Sequence, residues 1–133
     1  MSSVLEASAL DKRYGRRWAL SDCTLRIPAG HVAGLVGPNG AGKTTMLHLA
    51  VGLLRPTSGT IAVLGEQVAG SVAQLSRVGF LAQETPVYPN LTVGDHLSLG
   101  AHMNPGWDSQ LAEERSQRLA LDPSQRAGQL SHL

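Results

Sequence analysis

The chain has 133 residues, a length that allows one domain and leaves little room for a second, and at 42% hydrophobic and 16% charged it has enough apolar material for one core and lacks the bias of a disordered chain. Eleven Lys and Arg against ten Asp and Glu leave a formal charge of +1, so no long-range positive field calls for nucleic acid or anionic lipid, and any anion must be held locally. The single cysteine, Cys23, excludes an internal disulfide, and no segment approaches the length of an apolar membrane span. The five histidines fall at no metal-ligand spacing and read as structural or surface residues.

The N-terminal 36 residues read as strands. Cys23, Leu25 and Ile27 alternate with Asp22, Thr24 and Arg26, the pattern of a half-buried strand. Pro28-Ala29-Gly30 turns the chain into His31–Val36, a short apolar run of the kind buried on both faces of a sheet. A glycine-rich loop follows at once. From Lys43 to Leu54 the residues Met46, Leu47, Ala50, Val51 and Leu54 recur at helical spacing, and Arg55-Pro56 ends the pattern. Thr57-Ser58-Gly59 reads as a turn into a strand over Thr60–Leu64, a helical piece surrounds Val72–Leu75, and a second apolar strand covers Val78–Ala82. Thr92 with Asp95 three residues on predicts a capped helix over Val93–His102, broken at Asn104-Pro105-Gly106. Another is predicted over Asp108–Leu121, with Leu111, Arg115 and Leu119 on one face. Trp18 and Trp107 read as packing residues, and Cys23 as a small core residue.

The chemistry sits in Gly37-Pro38-Asn39-Gly40-Ala41-Gly42-Lys43-Thr44, which fits G-x-x-x-x-G-K-[ST] between a predicted strand and a predicted helix. A triphosphate is a concentrated anion, and a helix start offers unpaired N–H groups and the positive end of a dipole. Gly40 and Gly42 allow backbone dihedrals that a Cβ forbids, so successive N–H groups up to Thr45 can turn inward on phosphate. Lys43 is positioned to reach β and γ oxygens, Thr44 offers a hydroxyl to Mg²⁺, and Thr45 donates near the α-phosphate.

The wording of this loop, Gly34-Leu35-Val36 through Lys43-Thr44-Thr45, together with Leu53-Leu54-Arg55-Pro56-Thr57-Ser58-Gly59, resembles the nucleotide-binding subunits of ABC (ATP-binding cassette) transporters. The resemblance runs from about Leu10 to Leu130 and implies an α/β fold: a P-loop NTPase core with an N-terminal antiparallel β part and the start of a helical subdomain, the C-terminal half of the domain being absent. It divides the chain into a core part over 1–84 and a Q-loop and helical part over 85–133. Tyr14, in Lys12-Arg13-Tyr14-Gly15, resembles the family's adenine-stacking aromatic, and Gln83 its Q-loop glutamine, which binds Mg²⁺ or the attacking water. Implied cofactors are ATP and Mg²⁺. Implied partners are a membrane permease subunit and a second ATPase subunit packed head to tail, which place the protein in the cytoplasm on the inner face of the cell membrane. The stretch Asn104–Gln125 looks most like bacterial exporter-type members.

The family also carries a Leu-Ser-Gly-Gly-Gln signature, a hydrophobic strand ending in Asp-Glu (Walker B) and a switch histidine, and none is found here. Leu130-Ser131 reads as the start of a signature with His132-Leu133 in place of its glycines, or Leu133 opens a signature. Without a Walker B carboxylate the chain is expected to bind Mg-ATP better than it hydrolyses it, and without the Walker B strand as a neighbour the apolar run Val32–Val36 becomes a sheet edge, so the isolated chain is expected to be marginally stable or oligomeric. The competing readings are a non-catalytic nucleotide-binding module that associates with a complete ATPase, and an unrelated P-loop kinase or GTPase. The Asn-Lys-x-Asp guanine motif is absent, against the GTPase.

Overall fold

The structure, a computed structural model, describes residues 2–38, 40, 42–68, 70–84 and 86–130. It forms two compact units, Met1–Phe80 and Leu81–Leu133.

The first unit is built on a four-stranded antiparallel sheet of order β2-β1-β3-β4, with β1 over Ser3–Tyr14, β2 over Arg17–Pro28, β3 over Ser58–Val63 and β4 over Glu66–Gln67. Tyr14 and Arg17 close the β1–β2 hairpin around Gly15-Arg16, where only Gly15 has positive φ (61°), the pattern of a two-residue turn with glycine first. The alternation read from β2 is present: Cys23, Leu25 and Ile27 are half-buried while Asp22, Thr24 and Arg26 are exposed. The core lies where this sheet meets helix α1 (Lys43–Ala50), with Ala7, Leu10, Ile61, Met46, Leu49 and Ala50 buried and Cys23 packed against them.

Helix α1 ends four residues earlier than the apolar spacing predicts. Gly52 takes φ 83°, its N–H bonds to Leu49 O at 3.3 Å, and Leu53 N–H bonds to His48 O at 2.9 Å. This left-handed cap consumes the last carbonyls, and the buried stripe becomes Met46, Leu49 and Ala50 while Leu47 turns outward.

Two predicted strands are not formed. Residues 31–38 pair with no strand among the described residues, and Val32 and Val36 are 103% and 90% exposed. Residues 78–82 are likewise outside the ladder, with Leu81 83% exposed. An apolar run needs neighbours on both edges to become a buried strand, and the sheet formed here offers these segments none.

Asp11 joins three strands. One carboxylate oxygen accepts from the Ser58 hydroxyl at 2.5 Å, the other from the Asp22 amide at 2.6 Å, and its carbonyl accepts from the Thr57 amide at 2.9 Å. The Ser58 bond first, then the Asp22 bond, holds its carboxyl below the ordinary carboxylate value. Its stabilising contribution is therefore complete above the ordinary carboxylate range and is lost as pH falls through the lowered value. Thermal melts stepped from about pH 7 to about pH 3 are expected to show a falling Tm, and Asp11→Asn is expected to remove part of that fall. An unaltered pH slope would exclude the role.

A short helix α2 (Val72–Leu75) carries Gln74, 3% exposed and fully partnered. Its amide donates to Val63 O (2.9 Å) and Glu66 O (3.1 Å) and accepts from Gly70 N–H (3.1 Å), so it ties α2 to the β3–β4 turn. Gln74→Leu strands these backbone groups and is expected to cost about 1 to 3 kcal/mol, read as a lower urea midpoint at unchanged slope.

The second unit contains helix α3 (Val93–Met103) and helix α4 (Ser109–Arg118). The Thr92–Asp95 capping box is complete in both directions. Val93, His96, Leu97 and Gly100 form the inward face of α3, and Trp107 packs on Gly100, as its reading as a packing residue expects. Trp18, in the first unit, differs from that expectation: it is 51% exposed, with the Arg13 guanidinium over its ring at 5.4 Å. Helix α4 is shorter than predicted, and its half-buried residues are Ala112 and Ser116, whereas Leu111 and Leu119 are exposed. Residues 123–128 return along 89–94, with Val93 N–H bonded to Gln125 O and Ala127 N–H to Leu91 O, before a 3₁₀ turn over Ala127–Gln129.

Candidate functional site

Helix α1 opens at Lys43 behind Gly42, so by helix geometry the amides of Lys43, Thr44 and Thr45 lie at its unsatisfied N-terminal end, and Met46 N–H makes the first intrahelical bond, to Gly42 O at 2.9 Å. No acidic residue stands in this first turn, which leaves the positive end of the dipole uncompensated by a carboxylate. Gly40 and Gly42 both take the left-handed φ read for them, 87° and 91°. At Gly42 the reason is double: a Cβ would also stand 2.5 Å from Ala19 O and 2.6 Å from Leu20 Cδ2, so the end of the loop is seated directly on strand β2.

Lys43 folds back across the loop and donates through Nζ to Gly37 O. Its ammonium thus ties the two ends of the loop together. Gly37, Pro38, Gly40 and Thr44 are exposed and Gly42, Lys43 and Thr45 half-buried. Asn39 and Ala41, also read as loop residues, lie outside the described residues, as do Ser131–Leu133.

The residues present fit a polyphosphate: an open loop with left-handed glycines, amides at a helix start, one reachable ammonium and no carboxylate in the turn. For Mg²⁺ the exposed Thr44 hydroxyl is the available oxygen in this loop, and no cluster of three or more His, Cys, Asp or Glu occurs among the described residues. A donor set this sparse suits a cation that keeps most of its ligands from phosphate and water.

Tyr14 stands at the tip of the β1–β2 hairpin, 44% exposed, in the same unit as the loop. Its ring is available to a flat ligand. Gln83 lies on an exposed turn of the second unit, a few residues past the unit boundary. Sequence reasoning missed Asp11 and Gln74. The only local signal for Gln74 was its spacing from Ser71, an S-x-x-Q pattern; Ser71 does cap α2, accepting from Gln74 N–H at 3.0 Å. Asp11 gave no local signal, because its partners are 11 and 47 residues away.

Comparison with known proteins gives a consistent picture. The family profile described as ABC transporter matches residues 20–132. The chain is 36% identical to an Fe(3+) ions import ATP-binding protein, FbpC 2, of Rhodococcus jostii, over 96% of this chain and 37% of that protein. It is 38% identical to a lantibiotic transport ATP-binding protein, SrtF, of Streptococcus pyogenes, over 72% of this chain and 41% of that protein. Among solved structures, an ATP binding subunit of an ABC transporter superposes with a TM-score of 0.80 at 28% identity, covering 97% of this chain and 56% of that one. The chain therefore spans well under half the length of the curated relatives it matches.

Proposed function

This chain belongs to the ABC transporter family, and on that premise we propose that it is the ATP-binding part of a transport subunit, holding Mg-ATP through the loop Gly37–Thr45. The observation that carries this reading is the loop itself: left-handed Gly40 and Gly42, a helix start free of acid, and Lys43 reaching back to Gly37 O. In this reading the amides from Gly40 to Thr45 surround the β-phosphate and Lys43 leaves Gly37 O for the β and γ oxygens. Thr44 takes Mg²⁺, Tyr14 stacks on adenine, and Gln83 contributes to Mg²⁺ or orients the attacking water. Bound Mg²⁺ supplies charge neutralisation at the transferred phosphoryl group.

The proposed partners are a membrane permease and a second ATPase subunit, with the protein peripheral on the cytoplasmic face of the membrane. Among the described residues no helix is long and apolar enough to cross a membrane, so attachment through a partner is the route proposed. The relatives include both an importer and a lantibiotic transport protein, and the reading takes neither direction. The domain boundary near residue 84 is kept as part of the proposal; the compact units divide at Phe80 and Leu81.

The second reading, which the same loop would serve, is a non-catalytic nucleotide-binding module associated with a complete ATPase. Titration calorimetry with Mg-ATP, followed by phosphate release from the same sample, tests both. Saturable binding competed by inorganic tripolyphosphate is expected, with release at background for the chain alone. Absence of binding would overturn the nucleotide site, and turnover would overturn the second reading.

A further inference from the structure

The segment Arg55–Ser58, which follows α1, makes a group of contacts that the phosphate loop does not explain. Lys12 Nζ donates to Arg55 O at 2.8 Å, Arg13 N–H to Thr57 Oγ1 at 2.9 Å, Thr57 N–H to Asp11 O at 2.9 Å, and Ser58 Oγ to Asp11 Oδ2 at 2.5 Å. All of them grip residues 11–13, immediately before Tyr14. The same Lys12 ammonium that is anchored on Arg55 O lies over the Tyr14 ring, 5.3 Å from its centroid. Across the hairpin, Lys12 is paired with Leu20, and Leu20 is the side chain on which Gly42 of the phosphate loop rests.

We propose that Lys12, held by the Arg55–Ser58 segment, is a positioning residue that fixes the Tyr14 ring and occupies one of its faces, so that a nucleobase can stack on the other face alone. The proposal rests on the nucleotide reading given above and deepens it. An ammonium over a ring is attracted by the negative face of the π-system, and here its other contact is to a backbone carbonyl, so ring and segment are tied through one side chain. An exposed tyrosine otherwise samples several rotamers and loses that freedom when a base stacks on it; a ring already held loses less. Because Leu20 joins the hairpin to Gly42, the held ring also has a fixed relation to the phosphate loop.

The test measures Mg-ATP and inorganic tripolyphosphate binding by calorimetry on the 133-residue chain. Lys12→Met keeps the stem and removes the ammonium. It is expected to weaken ATP binding about two- to fivefold and leave tripolyphosphate binding unchanged, since tripolyphosphate has no base to stack. Lys12→Arg is expected to restore most of the ATP affinity. Adding Lys12→Met to Tyr14→Ala is expected to give no further loss, because the lysine acts through the ring. Unchanged ATP affinity in Lys12→Met, equal loss on both ligands, or effects of Lys12→Met and Tyr14→Ala that simply add would each overturn the proposal. Wild-type chain that binds neither ligand, or that is indifferent to Lys43→Ala, overturns the nucleotide reading and this proposal together. Sensitivity to Lys43→Ala alongside additive Lys12 and Tyr14 effects overturns only the role of Lys12.

Discussion

Lys43→Ala is expected to weaken Mg-ATP binding by about 10- to 150-fold while leaving the fold intact. A hydrogen bond to a charged partner is worth about 1.5 to 3 kcal/mol, and the ammonium is the one full positive charge that the loop places at its own mouth. The loss is bounded on both sides. The helix-start amides and left-handed glycines remain in the variant and continue to hold phosphate, so binding is weakened and not abolished. In the free chain Lys43 is already engaged with Gly37 O, and breaking that contact on binding offsets part of the gain. The same contact is a neutral-acceptor bond at a solvent-exposed loop, so its removal costs little stability, and circular dichroism melts of the variant should overlay those of the wild type. Lys43→Arg should rescue poorly, because a planar guanidinium does not occupy the place of a compact ammonium on a flexible stem. Calorimetric titration of the three proteins at one salt concentration decides the matter, and an unchanged affinity in Lys43→Ala would remove the phosphate site.

The shape of the loop before α1 was legible in the sequence because its requirements are local: the left-handed turns at Gly40 and Gly42 and the helix start at Lys43 all fall within a few residues of one another. The Thr92–Asp95 cap was legible for the same reason, as was the alternation of Cys23, Leu25 and Ile27. What sequence periodicity misjudged depended on distant partners or on one residue outvoting a pattern. Val51 and Leu54 continue the helical spacing, but Gly52 between them takes the left-handed cap that ends α1. The runs at 32–36 and 78–82 are apolar enough for buried strands, yet a strand exists only as a paired object and the observed ladder leaves both without a neighbour. Ala112 and Ser116 replaced Leu111 and Leu119 as the half-buried residues of this segment, in a unit with few buried apolar side chains. The Asp11 junction had no sequence signature at all, and its three bonds are made only after β1, β2 and β3 have found one another.

Gly59→Ala is expected to be the most damaging single substitution for stability, at about 2 to 5 kcal/mol, and Gly65→Ala isolates the reason. Both glycines have φ 80°, so a Cβ meets the same backbone penalty at each, about 1 to 2 kcal/mol. At Gly65, in the β3–β4 turn, nothing lies within 4 Å of that Cβ, and the penalty is the whole effect. At Gly59 the Cβ would stand 2.2 Å from Ala9 O, 2.6 Å from Ala9 C and 2.7 Å from Leu10 Cα. These are backbone atoms of the central strand and cannot rotate aside as a side chain would, so overpacking adds about 1 to 3 kcal/mol more. Leu10 is fully buried in the core and Asp11 follows it, so displacement of β1 there disturbs the core and the Ser58–Asp11 bond together. Urea titrations should therefore separate the two variants by about 1 to 3 kcal/mol, with Gly65→Ala folded and Gly59→Ala closer to unfolding in a chain whose total stability is modest. Equal costs at the two positions would mean that φ alone matters at Gly59 and that β3 and β1 at Ala9–Leu10 are not in close contact, which would also loosen the Arg55–Ser58 grip on the strand leading to Tyr14.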